Sequence, residues 1–279
     1  MKKVILMSLL IVLNLSAFSL FGNTKEELEK VEYMNELKNL IVATQKTRGL
    51  TNNYMNGNVV AMLLVHAERK EMKKSLRALK KFSALDNATL ALEPELLSLN
   101  KTAFKQDSHK SFTQYTVMIE KMLAIGDKFV ITKMKDTSEL SQKASRMMMD
   151  NILPFTENIG KIRGLGSGVV ARTYSKSIED QQLKSFVHAV QNLNEVEAPN
   201  MKVLAFKYPH FYSKNVPEQI EDISKDALVY ITLTETKVIG QKDITLNTNV
   251  YFNQGTDLIA KALKLFDENA NAIKKEINN

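Results

Sequence analysis

The sequence lacks cysteine and tryptophan and is poor in glycine and proline, with 10 and 5 residues among 279. Without cysteine the chain can form no disulfide, iron–sulfur cluster, covalent haem attachment or thiol nucleophile. The scarcity of glycine and proline disfavours a turn-rich β sandwich and favours long helices. The four histidines lack the spacing of known metal motifs, and no nucleotide-binding loop is present. We therefore expect no metal, no cofactor and no catalytic site.

Long apolar runs are also missing, except at the N-terminus. Lys2 and Lys3 precede an apolar run at residues 4–15, and small residues follow up to Gly22. These are the three parts of a secretory signal, so we expect a signal peptide at residues 1–22 and a periplasmic or otherwise exported protein. Because the apolar stretch reaches Phe21, the alternative is an uncleaved anchor in the inner membrane with the body facing the periplasm.

Charge of one sign is not concentrated anywhere. The formal net charge is +7, yet the lysines are scattered among acidic residues. We therefore expect no nucleic-acid partner, because such proteins gather their basic residues on one face.

Apolar residues recur at steps of three and four through most of the chain, which predicts α-helices. The first half predicts four helices, at about 24–56, 59–82, 94–106 and 108–135. The second half predicts helices at about 136–152, from 154 onward, at 177–196 and at 248–277. Prolines at positions 199, 209 and 217 predict a looser stretch, and residues 217–240 fit a strand or a helix. The pattern predicts an all-α fold with a first bundle at about 24–135 and a second at about 136–279.

Two segments, residues 46–50 and 161–165, repeat the pattern Lys-x-Arg-Gly-Leu. Arg48 and Arg163 each lie on the apolar stripe of a predicted helix, at equivalent positions in the two halves. Arginine cannot shed its charge, so a buried guanidinium needs an anion. Two guanidinium groups facing one pocket would suit a small planar oxyanion such as nitrate or nitrite.

The residues that follow each arginine complete the predicted site. Gly49 and Gly164 lack a side chain, which allows a neighbouring backbone to come close and shapes the pocket. Thr51 and Ser167, about one turn further on, are candidate hydroxyl donors. In the alternative interpretation each arginine pairs with a carboxylate of the protein, within about 4 Å, and the chain is a helical adaptor.

The first segment, Gln45-x-x-Arg48-Gly49-x-Thr51, resembles the Gln-x-Glu-Arg-Gly-x-Ser signature of the nitrate- and nitrite-sensing (NIT) domain family. Residues 251–256, Tyr-Phe-Asn-Gln-Gly-Thr, resemble the aromatic-Phe-x-x-x-Thr element of that family's last helix. The resemblance implies two packed up-down four-helix bundles over about residues 25–275, with arginines holding the anion between helices. Arg48 matches the first family arginine and Arg163 a later one, whereas Thr47 stands where the family usually has glutamate.

These observations together predict an exported, non-enzymatic sensor of nitrate or nitrite that relays occupancy by helix repacking, since an anion would relieve repulsion between two cations. No output module is recognisable, so a membrane sensor or receptor protein is the expected partner, and a homodimer is a further expectation. The alternative is a structural or adaptor protein that binds no ligand and docks to a membrane receptor.

Overall fold

The computed structural model describes the backbone of residues 2–279 and the side chains of residues 24–279. The predicted signal peptide, residues 1–22, lies outside the part with described side chains. Across the described residues all regular structure is helical and no strand occurs, which confirms the all-α class. Within this same part, no helix combines the length and the apolar character needed to cross a bilayer.

The helices follow one another through short connections. In chain order they are α1 (Lys2–Met55), α2 (Ala61–Leu79), α3 (Ala88–Ala91), α4 (Glu93–Thr102), α5 (Ser108–Lys133), α6 (Glu139–Arg146), α7 (Leu153–Arg172), α8 (Ser177–Lys207), α9 (Val216–Lys237) and α10 (Thr248–Ile277). A π-helical turn, Met147–Ile152, joins α6 to α7 without a break, and 3-10 turns at Lys80–Phe82 and Ala103–Lys105 extend α2 and α4.

Helix starts follow from local side-chain chemistry. The carboxylate of Asp107 accepts the backbone N–H of Lys110 at the start of α5. The hydroxyl of Ser138 accepts the N–H of Ser141 at the start of α6, as the predicted helix start at residues 136–139 requires. Each cap satisfies an N–H group that has no partner within its own helix.

The predicted looser stretch is wrong at Pro199, because α8 runs through this residue to Lys207. A proline removes one helical hydrogen bond and crowds the preceding turn. Here α8 buries apolar residues on both sides of Pro199, with Val190 buried before the proline and Met201 buried after it. Packing of this face on the core outweighs the local cost of the proline.

The segment that fits a strand or a helix, residues 217–240, is helical over most of its length as α9. Its β-branched and aromatic residues pack by helical spacing, with Tyr230, Ile231 and Thr234 buried on one face. Tertiary contact therefore decides the conformation against the local strand preference.

The helices enclose a large continuous hydrophobic core that draws residues from both halves of the chain, and a second, small cluster is formed by Leu50, Ala61 and Val65. α1 packs on α2 and α5 from its own half and on α7 and α10 from the other. α7 packs on α8 and α10, and α9 lies between α8 and α10. The division into two four-helix bundles stays a prediction, whereas the direct contact of α1 with α7 brings the two arginine helices together.

Candidate anion-binding site

The two arginine helices, α1 and α7, approach closely along a stripe of glycines. Gly160, Gly164 and Gly168 recur every four residues and therefore line one face of α7. A Cβ added to Gly164 would lie 3.2 Å from the Cα of Gly49 and 2.9 Å from the ring of Phe112. The backbones thus meet at a pair of glycines, one following each arginine.

Arg48 is completely buried, with 0% of its surface exposed, and it is paired with a carboxylate. Its Nη1 donates to Oε1 of Glu157 at 2.5 Å, and its Nη2 donates to Oε2 at 3.1 Å. Nη1 also donates to Oγ1 of Thr116 at 2.9 Å, and Cζ lies 4.8 Å from the centre of the Phe112 ring. This two-point contact is the strongest geometry for an arginine and a carboxylate. Among the described residues, the Nε of this group has no hydrogen-bond partner.

Arg163 is 1% exposed, yet no carboxylate of the described residues lies within ion-pair distance of it. Its one hydrogen bond there runs from Nη1 to Oγ1 of Thr256, at 3.0 Å, and its buried Nε has no partner. Its Cζ lies 4.7 Å from the centre of the Phe252 ring. Burial, together with the positive charge of Arg48, lowers the pKa of Arg163 to about 10. The group therefore stays charged at neutral pH, as a buried cation without a counter-ion.

The two arginines occupy equivalent half-sites. In each, a Phe-x-Gln-x-Thr segment supplies two contacts: the phenylalanine ring packs on the guanidinium, and the threonine hydroxyl accepts a hydrogen bond from it. The two segments are residues 112–116 on α5 and 252–256 on α10. Both threonines also donate to the carbonyl of the phenylalanine one turn before them. The family element quoted above covers only the segment at residues 252–256. A comparison of the two halves of the sequence would have identified the matching segment at residues 112–116.

The half-sites interlock through the glycines. A Cβ on Gly49 would lie 3.4 Å from the Phe252 ring, whereas one on Gly164 would meet the Phe112 ring. Each glycine therefore contacts the ring that carries the other arginine. The positive charge of Arg48 also contributes to the lowered pKa of Arg163, so the two guanidinium groups repel each other. The structure thus brings Arg48, Arg163, Gly49 and Gly164 together.

The two predicted hydroxyl donors differ in how they are engaged. The hydroxyl of Thr51 is buried without a hydrogen-bond partner, although it is near enough to the hydroxyl of Tyr115 to affect that group's pKa. The hydroxyl of Ser167 donates to the carbonyl of Gly164 in its own helix, at 3.3 Å. Thr51 therefore lies beside Tyr115 and would give up no hydrogen bond to the described residues if it turned to a ligand, whereas Ser167 would have to give up a bond within α7.

Two buried polar groups beside Arg48 were not predicted as site residues. Glu157 is 2% exposed and lies on the same face of α7 as the glycines, and its pairing with Arg48 carried no sequence signal. The amide of Gln45 has no partner for its nitrogen or its oxygen. A Cβ on Gly160 would lie 3.3 Å from Nη2 of Arg48 and 3.8 Å from Cδ of Gln45, which places all three in one corner.

Tyr230 is a third unpredicted group, and it lies beside Arg163. A Cβ on Gly255 would lie 2.7 Å from the Tyr230 hydroxyl and 3.0 Å from Cβ of Arg163. This hydroxyl makes no hydrogen bond, although it faces the hydroxyl of Tyr251, and burial raises its pKa well above its ordinary value. Buried polar atoms without partners are costly in a folded protein, so a polar ligand here would stabilise the structure.

The model of the family described as "NIT: Nitrate and nitrite sensing" matches residues 39–263, which is most of the chain. The chain belongs to the NIT family. The solved structure of the NasR transcription antiterminator is similar to this NIT domain, with a TM-score of 0.66 at 12% sequence identity, over 96% of this chain and 74% of that one. At this identity the similarity shows the fold. No curated protein matches the sequence.

The residue before Arg48 departs from the signature quoted above. Thr47, at the position of the usual glutamate, turns its hydroxyl back to the carbonyl of Ala43, at 2.8 Å, and is fully buried. The carboxylate that pairs with Arg48 comes from Glu157 on α7. The contact between α1 and α7 therefore includes a buried ion pair as well as the two glycines.

Proposed function

We propose that this NIT domain is a sensor, and not an enzyme, that binds nitrate or nitrite at Arg163 where α1, α7 and α10 meet. The observation that carries the proposal is the buried, charged guanidinium of Arg163 without a carboxylate partner. A planar anion accepts in-plane hydrogen bonds from a guanidinium group, and the negative charge of the anion offsets the cost of burying an isolated cation.

The neighbouring groups take supporting roles in this proposal. Arg48, tied to Glu157 through both terminal nitrogens, adds positive charge and a free Nε donor. The free hydroxyl of Thr51 is a further donor, and Ser167 is a weaker one. Gly49 and Gly164 shape the pocket by allowing the two helices to touch.

We also propose that the domain is exported and that occupancy is relayed by helix repacking. Export is supported by the charged and apolar pattern of residues 1–22. The relay is supported by α1, which carries Arg48 close to its C-terminal end and continues back to Lys2 as one helix. A change in the contact of α1 with α7 would thus shift the whole of α1, including its N-terminal end, and a membrane partner that binds this end would respond to the shift. A homodimer stays a prediction.

The second candidate is the adaptor without a ligand. The pairing of Arg48 with Glu157 is the observation that favours it, because this interpretation needs a carboxylate of the protein at each arginine. Arg163 has none among the described residues, so the adaptor accounts for only one of these two buried arginines.

Calorimetric titration of residues 23–279 with nitrate and with nitrite tests the proposal. We expect saturable binding of at least one anion, and a loss of at least tenfold in affinity in Arg163→Met. Arg146→Met, which removes an exposed arginine of α6, is the matched control and should bind as the wild type does. Absence of binding at millimolar anion, or unchanged binding in Arg163→Met, would contradict the proposal.

A further inference from the structure

The two half-sites differ in one respect, which is the carboxylate of Glu157. Arg48 and Arg163 have the same kind of neighbours, a phenylalanine ring and a threonine hydroxyl. Among residues 24–279, Arg48 has an anionic partner that uses both of its oxygens, and Arg163 has none. One half-site is therefore neutralised by the protein itself, and the other is not.

The charges of the buried cluster can be added directly. Arg48 and Arg163 contribute two positive charges and Glu157 one negative charge, so the cluster carries a net charge of +1. Lys161 lies 3.9 Å from Glu157, but it is paired at 2.9 Å with Glu120, which is largely exposed. This outer pair is neutral as a unit, and it leaves the sum for the buried groups unchanged.

Resting on the proposed function, we propose that Glu157 is an internal counter-ion that selects ligands with a single negative charge. A monoanion at Arg163 makes the buried cluster neutral. A dianion would leave one negative charge buried without compensation, and such charges are strongly disfavoured away from water. Selection by an opposing charge acts against the wrong ligand even where its shape fits.

Glu157 is well placed for this role because it cannot easily leave. Its two-point contact with Arg48 lies beside the buried amide of Gln45 on α1 and the backbone of Gly160 on α7. Its position on the glycine face of α7 fixes the carboxylate at the contact of the two helices. The residue therefore acts through Arg48 and the charge of the cluster, as a specificity-determining residue that does not itself touch the ligand.

The test compares chlorate with sulfite, two pyramidal trioxo anions of similar shape that carry one and two charges under mildly alkaline conditions. Sulfite has no disulfide to attack in this chain, which contains no cysteine. In competition against nitrate we expect chlorate to bind the wild type at least tenfold more tightly than sulfite. In Glu157→Gln the preference should shrink to less than threefold, whereas Glu221→Gln, which removes an exposed carboxylate of α9 paired with Lys202, should keep it.

A second variant keeps the proposal testable if Glu157→Gln does not fold. The double variant Arg48→Met with Glu157→Leu removes the ion pair as a unit, which buried pairs often tolerate, and leaves the net charge at +1. Because Arg48 is itself a proposed donor, both anions should bind more weakly, but the ratio of their affinities should still favour chlorate. Equal binding of sulfite and chlorate by the wild type, an unchanged preference in Glu157→Gln, or a lost preference in the double variant would overturn the inference. If no monoanion binds the wild type at all, the proposed function itself is wrong.

Discussion

The unpaired charge of Arg163 predicts that its removal stabilises the ligand-free protein. Burial lowers its pKa from the ordinary arginine range to about 10, and at about 1.4 kcal/mol per pKa unit this fall corresponds to about 3 kcal/mol. Replacing it by methionine also removes the hydrogen bond to Thr256 and the contact with the Phe252 ring, which together offset about 1–2 kcal/mol. We expect Arg163→Met to raise the free energy of unfolding by about 1–2 kcal/mol.

The same substitution at the equivalent arginine should have the opposite effect. Arg48→Met leaves the carboxylate of Glu157 buried, and its remaining ion-pair contact among the described residues is the long one to Lys161, at 3.9 Å. Removing one partner of a buried ion pair costs about 3–5 kcal/mol, because the other charge is left uncompensated. The two variants thus differ in sign although their positions and neighbours match.

Urea unfolding and thermal unfolding of both variants, in buffer free of nitrate and nitrite and low in chloride, measure the free energy of unfolding and the melting temperature. For a chain of this size we expect a melting temperature roughly 2–6 °C higher in Arg163→Met and about 10 °C lower in Arg48→Met. Added nitrate should stabilise the wild type and leave Arg163→Met unchanged. A destabilised Arg163→Met would refute the reasoning, because it would mean that this cation is compensated within the protein.

Three further predictions concern the helix contact, the π-helical turn and the second half-site. Gly164→Ala should destabilise the protein by about 1–3 kcal/mol, since its Cβ would lie 3.2 Å from the Cα of Gly49. Gly49→Ala makes only ordinary van der Waals contacts and should cost less than about 1 kcal/mol. Thermal unfolding of the two variants measures this difference. Burial and the neighbouring Asp127 raise the pKa of Asp150 to about 6, so the stability that its neutral form allows at low pH is lost as pH rises through about 6. Asp150→Asn should therefore raise the free energy of unfolding by about 1 kcal/mol at neutral pH, and leave it unchanged below about pH 3.9, the ordinary aspartate pKa. Unfolding measured as a function of pH tests this. Thr256→Val should weaken nitrate binding about fivefold in calorimetry, because the arginine loses the acceptor that orients it.

The sequence predicts the fold well because its signals are local. Apolar spacing of three and four residues identifies the long helices, and the last one begins and ends where it was expected, at Thr248–Ile277. The conformation of residues 217–240 and the path through Pro199 were not predictable in this way. In both, contacts made by residues distant in the chain decide against the local preference.

The candidate site could be predicted only in part, for a related physical reason. An arginine on an apolar stripe is visible in the sequence, and so is the repeat that pairs Arg48 with Arg163. The partner of each arginine is not visible, because Glu157 meets Arg48 across 109 residues through the packing of two helices. The asymmetry between the half-sites, on which the charge of the pocket depends, therefore follows from the structure.

A crystal structure of the domain grown with nitrate or nitrite tests the central claim most directly. The account predicts one anion within hydrogen-bond distance of the Arg163 guanidinium, with Glu157 still paired with Arg48. An anion bound elsewhere, or Arg163 paired with a carboxylate of the protein at saturating anion, would contradict it.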